Sequence, residues 1–359
     1  MRRVSYPAVA VAALAVSGAL IVPAASAALA APAARQAKAP VPAARAAWRI
    51  VKTVAGSSFP QFTALTATGS RSAWAFEARG NTRPQAWQLS GSTWTRRAFP
   101  GKLNDLVVSA SSSSATNVLA FTFDGQVVRW NGSTWTVVKQ FRDGINSGLA
   151  VNRNDVWVFG EQLGTWHFNG SGWTQARSGH GLLGASALSP TSIWAYGGTS
   201  VAHWNGRSWT KTSVARLLPR NTEFSHYGLA GILAVSARNV WALASGFTQD
   251  EGGPPVLLHF NGISWRRAAM KNTGGPIAIA GDGRGGLWIP VNTGFPGDGS
   301  MLRFTGGTLR SVSLPITPLH LFLFGAAHAP HSAVTFAFGF RRTSFSASTS
   351  TAVILRYGT

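Results

Sequence analysis

Cysteine is absent from the 359 residues, so the fold has no disulfide, no thiolate metal site and no cysteine nucleophile. The same absence excludes a bacterial lipid anchor, which needs a cysteine after the leader. Acids are scarce: 11 Asp+Glu stand against 32 Lys+Arg, and only 12% of residues are charged, where about 25% is usual. Beyond the N-terminal leader no apolar run is long enough to cross a bilayer. No long stretch after residue 47 has helical periodicity. What is present is 45% apolar residues, enough to bury a large core and too much for a disordered polycation.

Residues 1–27 read as a secretory leader. Arg2 and Arg3 give a positive start, residues 8–22 are apolar and uncharged, Pro23 breaks the run, and Ala25-Ser26-Ala27 is a small-residue cleavage site. The run is shorter than the roughly 20 residues a membrane span needs. Residues 28–47 are nearly all Ala and Pro, with Arg35, Lys38 and Arg45, and read as a disordered spacer. The expectation is cleavage after Ala27, an extracellular product and no transmembrane segment in the mature chain. Residues 1–47 hold five basic groups and no acid, so residues 48–359 keep 27 basic against 11 acidic groups, +16.

An internal repeat fills residues 48–359. One unit reads S-x-x-x-I/V-W-A, a loop, a short apolar strand, then aromatic-N-G-x-x-W-T. A first Trp recurs at Trp74, Trp157, Trp194, Trp241 and Trp288, and Leu119 and Thr335 are read into the same place; successive intervals run from 37 to 47 residues. A second Trp follows a turn glycine at Trp94, Trp135, Trp173, Trp209 and Trp265, with Leu309 in that place after Gly306. Units near 44 residues match a four-stranded propeller blade. Asn131-Gly132, Asn169-Gly170, Asn205-Gly206 and Asn261-Gly262 each separate two β-rich runs and predict two-residue type I′ hairpins. The last unit stops at its third strand, and residues 47–52 supply a spare fourth strand bearing Trp48. The predicted fold is all-β: a seven-bladed β-propeller of four-stranded antiparallel blades, closed by an N-terminal strand in the last blade.

On these motifs the chain resembles the secreted bacterial β-propellers built from Trp-rich repeats, many of which have no assigned activity. The G-H…W-D signature of WD40 blades is absent, and only Gly197-Gly198 matches the kelch Gly-Gly. Gly91-Ser92-Thr93-Trp94 and Gly132-Ser133-Thr134-Trp135 match the end of a sialidase-type Asp box. Leu89 and Trp130 replace its Asp, so glycosidase activity is not carried over.

Eleven of the 15 tryptophans sit at the two repeated strand positions, which assigns them to packing between blades. His167, His203 and His259 occupy one equivalent third-strand position and are read as outward polar residues, too far apart to share a metal. No cofactor is expected: the segment 282–286 lacks the alternating acids of a calcium loop, and no G-x-S-x-G, P-loop or H-E-x-x-H occurs. The longest loops fall on neighbouring blades, at 214–227, 246–255, 292–300 and 341–351. Their candidate ligand-binding residues are Arg220, Glu223, His226, Tyr227, Asp250, Glu251, Asp298, Arg341 and Arg342. The favoured function is a secreted, monomeric, non-catalytic binding propeller whose partner is an anionic polymer, a glycan or a surface protein. Nucleic acid is disfavoured, since the chain is exported and its charge is not clustered. The alternative is a polysaccharide hydrolase or lyase using loop carboxylates.

Overall fold

The computed structural model describes residues 46–358 apart from 81, 223–224, 249–251, 269, 271–273, 294–297, 316–319 and 345–348. The leader and nearly all of the spacer lie outside the described residues. The rest forms seven antiparallel sheets, and their first strands neighbour one another around a ring. Blades one to seven span residues 61–97, 107–140, 147–175, 184–213, 225–268, 275–312 and 320–357. The strand Arg49–Gly56 joins blade seven as its fourth strand.

The second strand Asn117–Thr122 is buried at all its residues, because blades cover both of its faces. The fourth strand Trp135–Gln140 buries its Trp and exposes most of the rest. Blade six departs from the pattern: its first strand is two short pieces, Gly275–Pro276 and Ala280–Gly281. Pro276 has no N–H to continue the ladder.

Each blade is fastened to the next by aromatic edges. Trp74 of blade one meets Trp130 and Trp135 of blade two at 4.7 and 4.9 Å between ring centroids. Trp157 meets Trp204 and Trp209 at 5.0 and 5.3 Å, and Trp194 meets Phe260 and Trp265 at 5.0 and 5.9 Å. Trp241 meets Phe304 at 5.0 Å. Edge-to-face pairs of this kind contribute about 0.5–1.5 kcal/mol each beyond the area they bury.

Hydrogen bonds between first strands add polar latches. The Thr63 hydroxyl donates to the Val107 carbonyl at 2.7 Å, and Ser147 donates to Leu183 at 2.9 Å. The Ala150 and Ala234 N–H groups donate to Ser111 and Ser186 at 2.9 and 3.1 Å. Asn292 of blade six accepts from the Leu323 N–H at 3.1 Å and donates to its carbonyl at 3.0 Å.

Three expectations are corrected. The blade-seven residue in the repeated Trp position is Phe336, not Thr335. Phe336 lies opposite Arg356 as Trp157 lies opposite His167, and its ring meets Trp94 edge-on. The Asn-Gly turns are four-residue loops rather than two-residue ones: Trp130 pairs with Trp135 and Phe168 with Trp173. Only the glycine takes positive φ, 108° at Gly132, while the Asn131 carboxamide accepts the N–H groups of Ser133 and Thr134 at 2.9 Å. The side chain replaces a backbone turn, so the Asn need not enter the left-handed region. The two-residue turn with both residues at positive φ occurs in blade six, at Gly306-Gly307. Lastly, much of the segment 246–255 continues the ladder: Gly246 pairs with Gly253 and Phe247 with Gly252 beyond a bulge that accommodates Pro254 and Pro255.

Ring closure is made by the N-terminal strand, as expected. Arg49 pairs with Arg356 and Val54 with Ala352, and the ladder runs on to Gly56 and Ser350. Trp48 is 3% exposed and packs at 5.1 Å on Trp288 of blade six and 5.6 Å on Tyr357. It thereby repeats the contact of Trp135 with Trp74. Trp48→Ala should cost about 3–5 kcal/mol, the range for a buried aromatic. A chain starting at Phe59 should melt far below one starting at Ala43 in thermal denaturation. Equal melting temperatures for the two would show that this strand does not close the ring.

Candidate functional site

The equivalent third-strand residues are not outward. Each lies directly across from the second-strand Trp of its own blade, on the same face of the sheet. His167 stacks on Trp157 at 4.0 Å and 11°, His259 on Trp241 at 4.1 Å and 23°, and His203 tilts over Trp194 at 4.5 Å. A polar residue near the start of the second strand holds each ring. The Asp155 carboxylate is 2.9 Å from His167, the Ser192 hydroxyl 3.1 Å from His203, and the Asn239 carboxamide 3.1 Å from His259. Burial pushes the imidazoles of His203 and His259 below their ordinary value.

Arg303 does the same in blade six, with its guanidinium 5.2 Å from the Trp288 ring and 2.8 Å from Asp282. Burial pushes the Asp282 carboxyl upward. Hydrogen bonds from Arg303 and from the Arg284 and Gly286 N–H groups outweigh it and hold the group below its usual range. The segment 282–286 is therefore a structural turn. The histidines stand one per blade, and among the described residues no three His, Asp or Glu gather as a metal site would require.

The central channel opens, at the end bearing the turns between first and second strands, into a 570 Å³ cavity lined from all seven blades. Its walls are small and neutral, among them Ser111, Ser112, Ser113 and Ser186, and His328 is its one titratable group. A 500 Å³ cavity between blades two and three mixes Lys102 and Arg142 with Asp124 and Glu161. A 570 Å³ hollow beside Trp194 and Trp265 holds no Lys, Arg, Asp or Glu.

The junction of blades seven and one differs from these. There the aromatic trio seen around Trp74, Trp157, Trp194 and Trp288 becomes Phe336, Leu89 and Trp94. The Phe336–Trp94 centroid distance is 6.5 Å, and a 390 Å³ cleft remains. Arg49, Arg71 and Arg356 line it, with Val51, Ser70, Gly91 and Ser92, and no carboxylate is among the lining residues. Arg356 donates to the carbonyls of Gly358 at 3.1 Å and Ser70 at 3.5 Å. Burial and the neighbouring charges of Arg49 and Arg71 hold its guanidinium below the usual value. Arg49 and Arg356 are cross-strand partners, a placement of like charges that disfavours the sheet.

The long-loop residues chosen from sequence fall elsewhere, on the opposite face. Arg220 and His226 are exposed, His226 at the start of blade five. Tyr227 is buried with Trp194 and Val214 in the core of blades four and five, and its phenol is pushed up by burial against the pull of Arg267. The Tyr227 N–H donates to Asn221 at 2.8 Å. The Asp298 backbone pairs with Thr293 in blade six. Arg341 is half-buried at the end of the second strand of blade seven, where Arg342 lies 4.8 Å over the Phe59 ring. Glu223, Asp250 and Glu251 lie outside the described residues. The cleft residues were missed because Arg49, Arg71 and Arg356 share no motif. The available signal was the loss of bulk at Leu89 and Phe336.

No protein-family model matches the sequence, and no curated protein is similar to it. Solved structures similar in fold include YCF48 bound to D1 peptide, at 11% identity and TM-score 0.57, covering 87% of this chain and 97% of that one. The WD40 β-propeller domain of Doa1 aligns at 10% identity and TM-score 0.59 over 86% and 96% of the two chains. A GH74 xyloglucanase from Xanthomonas campestris aligns at 14% identity and TM-score 0.58, over 84% of this chain and 54% of that one. These likenesses establish a seven-bladed β-propeller and nothing narrower.

The buried imidazoles set a direction for acid stability. The unfolded chain takes up these protons first as pH falls through the ordinary value of 6.5, while the folded forms of His203 and His259 resist. The stability they contribute is present above pH 6.5 and is lost as pH falls toward the lowered folded values. The melting temperature should therefore drop between about pH 7 and pH 5, and the drop should shrink when both residues are changed to Gln. An undiminished drop in that double variant would place the acid sensitivity elsewhere.

Proposed function

We propose that the chain is an exported binding propeller that engages anionic extracellular ligands without turning them over. The observation that carries this reading is the cleft of Arg49, Arg71 and Arg356, three guanidiniums beside the half-buried Trp94 with no carboxylate in the lining. Guanidiniums stay charged and donate forked hydrogen bonds to carboxylate, sulfate or phosphate; they do not shuttle protons near neutral pH. An anion placed there relieves the mutual repulsion of the three.

The remaining charge supports the same direction. Residues 48–359 carry +16, which attracts polyanions before any close contact forms. The leader at residues 1–27 supports export, so the ligand belongs to the cell surface or its surroundings. Fold neighbours that include a propeller solved with a peptide and a xyloglucanase are in keeping with a ligand-binding use of this scaffold.

Binding to polygalacturonate, a polymer of carboxylated sugars, tests the reading. Affinity should fall steadily as salt rises, because each neutralised carboxylate releases counterions that added salt opposes. No binding at low salt, or binding indifferent to salt, would overturn it. Export is checked separately: the secreted protein should begin near Ala28, and recovery only with residues 1–27 retained in a membrane fraction would contradict it.

A further inference from the structure

We infer that the cleft between blades seven and one takes a single acidic sugar unit, a pyranose ring bearing a carboxylate or sulfate, within a longer chain. The inference rests on the anionic-ligand reading above and gives it a ligand class. Three features of the cleft select that class.

The first is size. At 390 Å³ the cleft sits near the lower end of the roughly 300–1,000 Å³ usual for small-molecule sites. That admits one or two sugar rings and excludes a nucleic acid duplex or a folded partner.

The second is the wall. Half-buried Trp94 and Val51 form the accessible apolar side, backed by the buried Phe336 and Leu89, and a bare inorganic anion would leave it wet. A pyranose has an apolar C–H face that can lie on such a wall, with hydroxyls around its edge. Ser70 and Ser92 stand at the rim to meet those hydroxyls.

The third is the charge. Arg356 is half-buried and anchored to two carbonyls, so its position is set before a ligand arrives. Arg49 and Arg71 are exposed and free to close on the anionic group from two sides. Arg71 lies on the turn between the first two strands of blade one, where its carbonyl accepts the Gly91 N–H at 2.9 Å. The turn carrying Gly91 and Ser92 is thereby held beside the arginine it serves.

The repeat itself shows how this junction differs from most of the others. Elsewhere the place of Leu89, across from the repeated fourth-strand Trp or Leu, holds Trp130, Phe168, Trp204, Phe260 or Phe304, and in blade seven Tyr357 packs on Trp48. A leucine there, with Phe336 in place of Trp, removes ring volume from the junction beside the cleft. Restoring the missing ring therefore gives a variant that closes the site while improving the packing around it.

The experiment is calorimetric titration of the full chain with trigalacturonate, with neutral maltotriose and with AMP. Trigalacturonate should bind and maltotriose should not. Arg71→Gln and Arg49→Gln, both at exposed positions, should each weaken trigalacturonate roughly ten- to hundredfold, as loss of a charge-assisted hydrogen bond does. Leu89→Trp should abolish binding with a melting temperature equal to or above that of the parent. Equal binding of maltotriose, unchanged binding by Leu89→Trp, or binding of AMP in place of trigalacturonate would overturn the assignment. Polygalacturonate separates the two levels of the argument. If the polymer binds in a salt-dependent way to parent and Leu89→Trp alike, the cleft assignment fails and the anionic reading stands. If the polymer binds at no salt concentration, the anionic reading fails as well.

Discussion

With no disulfide to cross-link them, the blades are joined by tryptophan edges. Trp74, Trp157, Trp194, Trp241 and Trp288 each fill the gap to the following blade, and all five are at least nine-tenths buried. Each such ring removes on the order of 150–250 Å² from water. The rest of the ring is arranged around that contact. In four of the five an imidazole or guanidinium across the strand lies over the Trp face within its own blade, and the outer aromatics of the next blade cover the edge. Blades two and seven carry Leu119 and Phe336 in that place, and the ring is complete only when the last joint is made. That joint is supplied by Trp48, from the other end of the chain.

Polar groups serve the same assembly. The hydroxyls of Thr63, Ser111, Ser147 and Ser186 bind backbone groups of the adjacent blade rather than pointing free into the channel. First strands in a propeller lie too far apart to pair directly, and these side chains satisfy backbone groups that a sheet ladder cannot reach. The channel mouth is accordingly neutral. The three arginines of the cleft lie between blades instead.

Architecture was legible in the sequence because the same physical problem is solved seven times. Trp at a fixed distance from Asn-Gly marks both the strand and its partner blade, and repetition averages out local ambiguity. The misreadings came where one unit departs from the rest. Thr335 was taken for Phe336 because spacing alone does not fix register to one residue, whereas the cross-strand partner Arg356 does. The outward assignment of His167, His203 and His259 failed because alternation was applied to a strand whose neighbouring Trp leaves a ring-shaped recess for it. Tyr227 was placed in a loop because its segment follows a long connection, yet an extended ladder with Gly246 carries it into the core. The cleft was illegible for a different reason: its arginines come from residues 49, 71 and 356, which only ring closure brings together.

That last fact ties the site to the fold. Arg49 and Val51 belong to the closing strand, Arg356 to the strand it pairs with, and Arg71, Leu89 and Trp94 to blade one. The cleft is thus formed by the seam of the ring and disappears whenever the seam opens. Like charges at Arg49 and Arg356 weaken this pairing in the free protein, while the Trp48 joint and the ladder from Arg49 to Gly56 hold it shut. A ligand that binds only the closed seam adds its binding free energy to closure. The anion that neutralises the arginines would therefore act where the ring has its one discontinuity of chain, so recognition and closure would reinforce one another. A binding site in the middle of a covalently continuous blade would not have this coupling. Its repulsion would be carried by a hairpin that stays joined whether or not the charges are relieved.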